Sequence, residues 1–241
     1  MIYPSFVIAP MLAGLVQGVT GFGGGIITML IFPLFVSIPV GAGITSALGI
    51  PLCLSMVIRY RDEVNVKMAL LPALLYNVIS SLVISYSVYV DQVTIKKIFG
   101  VFLILLCLYY LFVSKSVQNR KLSLPLSIVC IAISATCDGL FGIGGPLMAV
   151  YFVSASDGKE SYIANLQFLF AVTNVVNFFT RISKGFYTFD LVPVTLLGFA
   201  GITLGKKFGL KILDRLDLES MKKGVYLFVG LSGILNVIQQ V

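Results

Sequence analysis

The chain has 241 residues, of which 58% are hydrophobic and 11% charged, and it carries 17 Lys and Arg against 10 Asp and Glu. This composition is far more apolar than that of a soluble domain of similar length, so it excludes a soluble globular protein and predicts an integral membrane protein. The basic residues that give the net charge of +7 lie mainly in short loops between apolar segments. Membrane topology explains such a distribution, and no nucleic-acid partner is predicted.

Eight apolar segments have about the length that crosses the hydrocarbon core of a bilayer. They lie at 6–36, 42–58, 68–90, 98–113, 122–153, 161–180, 186–205 and 224–241. The opening residues lack the basic region of a signal peptide, so we expect them to begin the first membrane segment. The sequence therefore predicts an all-α integral membrane protein with seven or eight membrane segments, embedded in the lipid bilayer and without a soluble domain.

The first segment, Phe6–Val36, contains no charged residue and has five glycines between Gln17 and Gly25. Glycine weakens a helix by about 1 kcal/mol relative to alanine, and backbone groups freed within a membrane need partners in protein or in a water-lined cavity. We therefore predict a helix break that serves as a functional site. The alternative is that these glycines only allow two helices to pack closely, as small-xxx-small motifs do.

The same glycine pattern returns 121 residues later. The positions Gly18, Gly21, Gly23 and Gly24 align without a gap on Gly139, Gly142, Gly144 and Gly145. This correspondence predicts two repeats, 1–118 and 119–241, each with about four helical segments and joined by a basic linker, as in transporters with internal symmetry.

The two long segments that contain the glycines decide the topology. If each crosses the membrane once, the 17 Lys and Arg divide nine to eight between the two sides; if each breaks and returns to its own side, they divide 13 to 4. Cytoplasmic loops carry the excess of basic residues. The second arrangement is therefore predicted: re-entrant first segments, inverted repeats and both termini outside. A broken helix that still crosses is the alternative.

Half-helices that begin at Gly24 and Gly145 would direct unpaired backbone N–H groups and the positive ends of their dipoles into the membrane. Each such end contributes about 0.3–2 kcal/mol to anion binding, so two facing ends predict a site for a small anion without a basic side chain. The residues predicted to bind it in the two breaks are Gln17, Thr20, Gly21, Phe22, Gly23, Gly24, Gly25, Gly139, Gly142, Gly144 and Gly145.

Uncharged polar side chains follow each break and supply further candidate ligands. They are Thr45 and Ser46 in the first repeat, and Asn165, Gln167 and Asn174, with Thr173 and Asn177, in the second. The alternative is that each of these side chains only forms a hydrogen bond between helices.

Asp138 is the one acidic residue within an apolar segment, and it aligns on Gln17. A carboxylate at membrane depth costs about 2.5–3.5 kcal/mol on the insertion scale, so it needs a partner or a function. Two hypotheses stay open: it binds the substrate and carries a proton that is coupled to transport, or it caps a helix. For Arg59 and Arg181, at the ends of their spans, we predict side chains that extend to the membrane surface, and a gate for the substrate is the alternative.

The four cysteines lie in apolar segments without a C-x-x-C pair, and the chain has no histidine. We therefore expect packing cysteines, no disulfide framework, no metal site and no cofactor. A hydrolase within the membrane is also disfavoured, because serine chemistry lacks its usual histidine base and an aspartyl mechanism needs a second carboxylate.

At these residues the sequence resembles the TauE/SafE family of sulfite exporters, over nearly its whole length. The resemblance rests on the spacing Gly14-x-x-x-Gly18-x-x-Gly21-x-Gly23-Gly24-Gly25 followed by Pro33, on Ala42-x-x-Thr45-Ser46, and on the second copy Gly139-x-x-Gly142-x-Gly144-Gly145. In that copy Pro146 replaces the third glycine.

The resemblance implies transport of sulfite, sulfoacetate or another small organosulfonate across the cytoplasmic membrane. We therefore expect a secondary transporter, an exporter linked to protons, with a small anion as its substrate and a second copy of the chain as a candidate partner. A passive anion channel and a structural membrane subunit without a site are the alternatives. The substrate, the direction, the coupling ion and the oligomeric state stay open.

Overall fold

The computed structural model describes residues 2–91, 93–95, 97–99, 101, 102, 105 and 122–215. Within them the chain contains no strand and forms eight α-helices with defined bounds. These are α1 (Ile2–Thr20), α2 (Gly24–Ile31), α3 (Ile38–Arg59), α4 (Val66–Ser87), α5 (Leu124–Phe141), α6 (Gly145–Ala155), α7 (Lys159–Ser183) and α8 (Val192–Leu213). Short 3-10 turns occupy Phe32–Leu34, Arg61–Glu63 and Phe189–Leu191.

Five of these helices, α3, α4, α5, α7 and α8, are long and apolar enough to cross a membrane. The prediction of an all-α multi-pass membrane protein is thereby confirmed. Of the predicted segments, 98–113 falls largely and 224–241 wholly outside the described residues.

The first predicted segment is a helical hairpin. Helix α1 ends at Thr20, and α2 begins at Gly24 after three non-helical residues. Gly21 and Gly23 have φ angles of 78° and 93°, in the left-handed region that favours glycine. The Phe32 ring stacks on that of Phe6 with 4.9 Å between ring centroids, so α2 runs back along α1.

The second long segment breaks at the corresponding glycines. Helix α5 ends at Phe141 with Gly142 (φ 68°) as its C-cap, and α6 begins at Gly145. Left-handed glycine at this position is a common way to end a helix. The predicted breaks are therefore present in both copies, and the non-helical residues of the two copies are offset by 121 positions.

Helices α3 and α7 pack against each other in antiparallel orientation. The Asn165 side chain, near the start of α7, accepts from Asn65 N at 2.7 Å and donates to Glu63 O at 3.3 Å, just beyond the end of α3. At the other end, a Cβ on Gly43 of α3 would lie 3.3 Å from Phe186 O, just beyond α7. These contacts hold the two central helices side by side over most of their length.

Each hairpin packs its first helix against a helix from the other half of the chain. Glycines bring α1 and α8 into direct backbone contact: a Cβ on Gly18 would lie 3.2 Å from the Gly209 Cα, and one on Gly205 would overlap the main chain at Met11. In the second hairpin, a Cβ on Gly139 of α5 would lie 2.8 Å from the Val83 Cβ of α4. Close packing, the alternative interpretation of the glycines, thus applies to Gly18 and Gly139.

Candidate functional site

The two glycine breaks meet around one cavity. A Cβ on Gly25 would lie 2.5 Å from the Gly142 carbonyl oxygen, and one on Gly145 would lie 3.0 Å from the Phe22 ring. Only glycine allows these segments to approach so closely. The cavity has a volume of about 60 Å³, several times the roughly 10–15 Å³ that one water requires. It therefore has room for several waters or one small anion.

Two helix starts contribute to the cavity wall through Gly24, Gly25 and Gly145. Their N-cap residues, Gly23 and Gly144, provide no side-chain hydrogen bond. In α2 the Ile27 N–H donates to Gly23 O at 3.1 Å, and the N–H groups that precede it have no acceptor within the helix. Pro146 removes one such donor from α6, so α2 offers more backbone N–H groups than α6.

Side chains of α7 fix the backbone of the first break. The Tyr162 hydroxyl donates to Thr20 O at 3.2 Å, and Gln167 Nε2 donates to Gly21 O at 2.6 Å. Gln17 Nε2 donates in turn to Gln167 Oε1 at 3.3 Å. The Gly21 and Phe22 N–H groups are bonded as well, so the N–H groups at the start of α2 are the backbone donors of this break that are left to contact a ligand.

The Asp138 carboxyl group lies in the cavity wall, in the last turn of α5. Its Oδ2 accepts from Asn177 Nδ2 at 2.8 Å, and Asn177 Oδ1 accepts from the Ser80 hydroxyl at 2.8 Å. Within the described residues no main-chain N–H donates to this carboxylate. The structure thus does not support the helix-cap hypothesis, and an ionisable group faces the cavity.

No Lys or Arg among the described residues lines the cavity. Arg181 is fully buried, and its Nη2 donates to Asp138 O and Gly139 O, both at 2.9 Å. The prediction that Arg181 extends to the membrane surface was wrong, because its guanidinium turns inward and caps the C-terminal carbonyls of α5. Arg59, in contrast, is partly exposed and pairs with both carboxylate oxygens of Asp214, at 2.7 and 2.9 Å.

Two hydroxyl groups in the cavity wall are bonded to each other and to the start of α2. Thr45 Oγ1 donates to Thr28 Oγ1 at 2.8 Å, and Thr28 Oγ1 donates to main-chain oxygens of Gly24 and Gly25. Thr28 lies one turn after Gly24 on the same face of α2, a spacing that could have identified it from sequence. Cys53, away from the wall, is buried and accepts from Gln17 Nε2 and Asn174 Nδ2.

The structure brings most of the predicted binding residues to the cavity. Those in its wall are Gln17, Phe22, Gly23, Gly24, Gly25, Thr45, Asp138, Gly142, Gly144, Gly145, Thr173 and Asn174. Sequence reasoning missed several wall residues that carry no polar signal, namely Ala13, Leu48, Gly49, Leu52, Phe170 and Ile202.

The other predicted residues lie outside the wall. Thr20, Gly21 and Gln167 shape the first break, Gly139 packs on α4, and Ser46 donates to Ala42 O within its own helix. Asn165 joins α7 to the loop after α3. The described residues contain no group of three side chains suited to a metal ion.

Comparison with known proteins identifies one family. The profile of the family described as Sulfite exporter TauE/SafE matches residues 6–235. A probable membrane transporter protein of Methanocaldococcus jannaschii is 23% identical over 257 residues, which cover 97% of this chain and 95% of the relative. No solved structure is significantly similar to the chain.

Proposed function

The chain belongs to the TauE/SafE sulfite exporter family of membrane transporters, and from this premise we propose that it exports a small sulfur-containing oxyanion, such as sulfite or an organosulfonate, across the cytoplasmic membrane. It acts as a secondary transporter linked to protons. The observation that carries this proposal is the cavity of about 60 Å³ between two glycine breaks, where helix starts meet neutral donors.

The chemistry of the cavity suits an oxyanion. Backbone N–H groups at a helix start attract negative charge. The wall also carries the Thr28 and Thr45 hydroxyls and the Asn174 amide, whose protons are donated to neighbouring protein groups and must turn away from them to bind an anion. No Lys or Arg of the described residues lines the cavity, so the anion is held without a direct ion pair and can leave again. Reversible release is what a transporter needs.

Asp138 is the proposed proton carrier. Its carboxyl group lies in the same wall as the helix starts, so its charge and that of an anion oppose each other through the cavity. Protonation of Asp138 removes this repulsion and favours anion binding. By linkage, a bound anion favours protonation to the same extent.

The proposed transport cycle uses inverted repeats with re-entrant hairpins. The Phe6–Phe32 stack places both ends of the first hairpin at the same level. The antiparallel packing of α3 and α7 puts loops 59–67 and 181–190 at opposite ends of the bundle, which supports the re-entrant topology, since single crossings would put these loops on one side. The pairing of α1 with α8 and of α5 with α4 supports a two-fold relation between repeats.

Exchange in proteoliposomes tests the proposal. Vesicles that contain the purified chain are loaded with unlabelled sulfite, sulfate, thiosulfate, sulfoacetate or taurine, and the entry of labelled sulfite is measured. We expect acceleration by internal sulfite or a sulfonate, and none by taurine, which has no net charge at neutral pH. Flux that ignores the internal anion would identify a channel, and no flux with any anion would refute transport of this substrate class.

A further inference from the structure

Lys206 is a partly buried cation on α8. Its Nζ donates to the Ser55 hydroxyl at 2.8 Å, and no carboxylate among the described residues lies within ion-pair distance of it. The nearby Asp214 is already paired with Arg59. A lone ammonium within a membrane helix is costly unless it has a partner or a function.

The position of Lys206 relates it to the cavity. Ile202 and Leu52 line the cavity, and Lys206 and Ser55 follow them by four and three residues on α8 and α3, about one helical turn further along each axis. The Arg59–Asp214 pair closes the ends of the same two helices. Lys206 therefore lies between the cavity and the end of the bundle that bears the loops at 60–65 and 214–215.

The other basic residues of the described chain are engaged or exposed. Arg181 is the fully buried one, and it is bonded to carbonyl groups of α5. Lys207 and Lys211, on the same helix as Lys206, are exposed. This leaves Lys206 as a cation that is near the cavity, outside its wall and bonded to a neutral hydroxyl.

Building on the proposed function, we infer that Lys206 is a transient binding residue for the transported anion at the entrance that faces these loops. The ammonium attracts the anion to the side of the cavity where α3 and α8 meet. The anion then passes to the cavity, where it meets only neutral donors and Asp138. A permanent cation one turn outside the cavity attracts the substrate without trapping it.

The test compares two neighbouring lysines in the exchange assay. Lys206→Gln is expected to raise the half-saturating sulfite concentration about tenfold, whereas Lys207→Gln, with the same change in net charge, is expected to leave it within about twofold. Lys206→Arg should retain most of the affinity. High salt should reduce the difference in half-saturating sulfite concentration between wild type and Lys206→Gln, because salt screens a partly exposed charge.

A purely structural role for the Lys206–Ser55 hydrogen bond predicts a different pattern. Ser55→Ala removes the bond but keeps the charge, so we expect near wild-type affinity; a defect as large as that of Lys206→Gln would overturn the inference. Equal affinities in Lys206→Gln and Lys207→Gln would also overturn it.

Should Lys206→Gln fail to fold, Lys206→Met keeps the aliphatic stem, and the same criterion applies to it. If the wild-type protein exchanges no anion, the proposed function is wrong, and so is the role of Lys206. If it exchanges sulfite, the results for the lysine variants test only the role of Lys206.

Discussion

Gly24 is the glycine of the first break where an added methyl group tests the cavity most directly. A Cβ there would overlap the Gln17 side-chain oxygen, which is the end of a flexible side chain, and would otherwise make ordinary contacts. Gly24→Ala should therefore fold with a stability change below about 1 kcal/mol, while it narrows the cavity and displaces the Gln17 amide. We expect at least about tenfold slower sulfite exchange.

Gly158→Ala is the matched control, because nothing lies within 4 Å of a Cβ at that position. It should exchange sulfite like wild type. Wild-type exchange by both variants would contradict the location of the site. Gly144 is a poorer probe, since its Cβ would overlap the Tyr76 hydroxyl and would lie 2.9 Å from the Asp138 Cβ, so the substitution disturbs the break itself.

Polar and glycine residues made part of the site predictable from sequence. Gln17, Asp138 and the glycines of both breaks stand out in apolar segments, and all of them except Gly21 and Gly139 line one cavity. Arg181 shows where such reasoning fails: a terminal arginine usually reaches water, but here the Asp138 and Gly139 carbonyl groups in the last turn of α5 accept from it inside the bundle. Which carbonyls lie nearby is a property of helix packing between distant segments.

At the level of helices, the glycines of this chain serve two purposes. Gly21 and Gly23 have positive φ angles and form a break, whereas Gly201, Gly205 and Gly209 follow a four-residue spacing along the face of α8 that meets α1. The sequence predicted the breaks, since clustered glycines interrupt a helix. It did not predict that α1 pairs with α8, because the pairing joins helices that are nearly two hundred residues apart.

Gly205→Ala should separate packing from binding. Its Cβ would overlap the Met11 carbonyl oxygen, so α1 and α8 must move apart, and overpacking of this kind costs about 1–3 kcal/mol. We expect a lower thermal midpoint and a lower folded yield in detergent, measured by size-exclusion chromatography after heating. Gly158→Ala serves again as the control, and an unchanged midpoint for Gly205→Ala would show that the α1–α8 contact is looser than the structure indicates.

At the scale of the whole molecule, the antiparallel packing of α3 and α7 makes the topology testable. Asp62 follows α3 and Lys184 follows α7, and both are exposed. In the re-entrant arrangement these positions lie on opposite sides of the membrane, with Asp62 on the cytoplasmic side that bears more Lys and Arg. A cysteine at Lys184 should react with an impermeant reagent in whole cells, and one at Asp62 should react only after permeabilisation.

The chain without these substitutions controls for its native cysteines, of which the described ones are buried or partly buried. If only the Asp62→Cys variant reacts in whole cells, the orientation of the chain in the membrane is the reverse of the predicted one. Labelling of both cysteines, or of neither, before permeabilisation would contradict the inverted repeats and favour long segments that cross the membrane.

The last prediction concerns the direction of coupling. Two unit charges about 6 Å apart interact by about 3 kcal/mol at an effective dielectric constant of 20, so an ionised Asp138 opposes an anion in the same cavity. Proton and anion should bind together and move in the same direction. Vesicles with an acidic exterior should accumulate a sulfonate, which stays ionised across this pH range and cannot enter as a neutral acid. Export in the cell then requires a substrate gradient steeper than the opposing proton gradient.

Asp138→Asn separates binding from coupling in this assay. The amide keeps the shape of the side chain beside Asn177 and removes the titration, so the variant should still exchange sulfonate but should lose accumulation driven by the proton gradient. Asp190→Asn is the matched control, because Asp190 is exposed outside the cavity, and it should accumulate sulfonate like wild type. Accumulation at the wild-type level by Asp138→Asn would exclude Asp138 as the proton carrier. Accumulation on the acidic side by wild type would instead mean that proton and anion move in opposite directions, so that charge repulsion in the cavity does not determine their coupling.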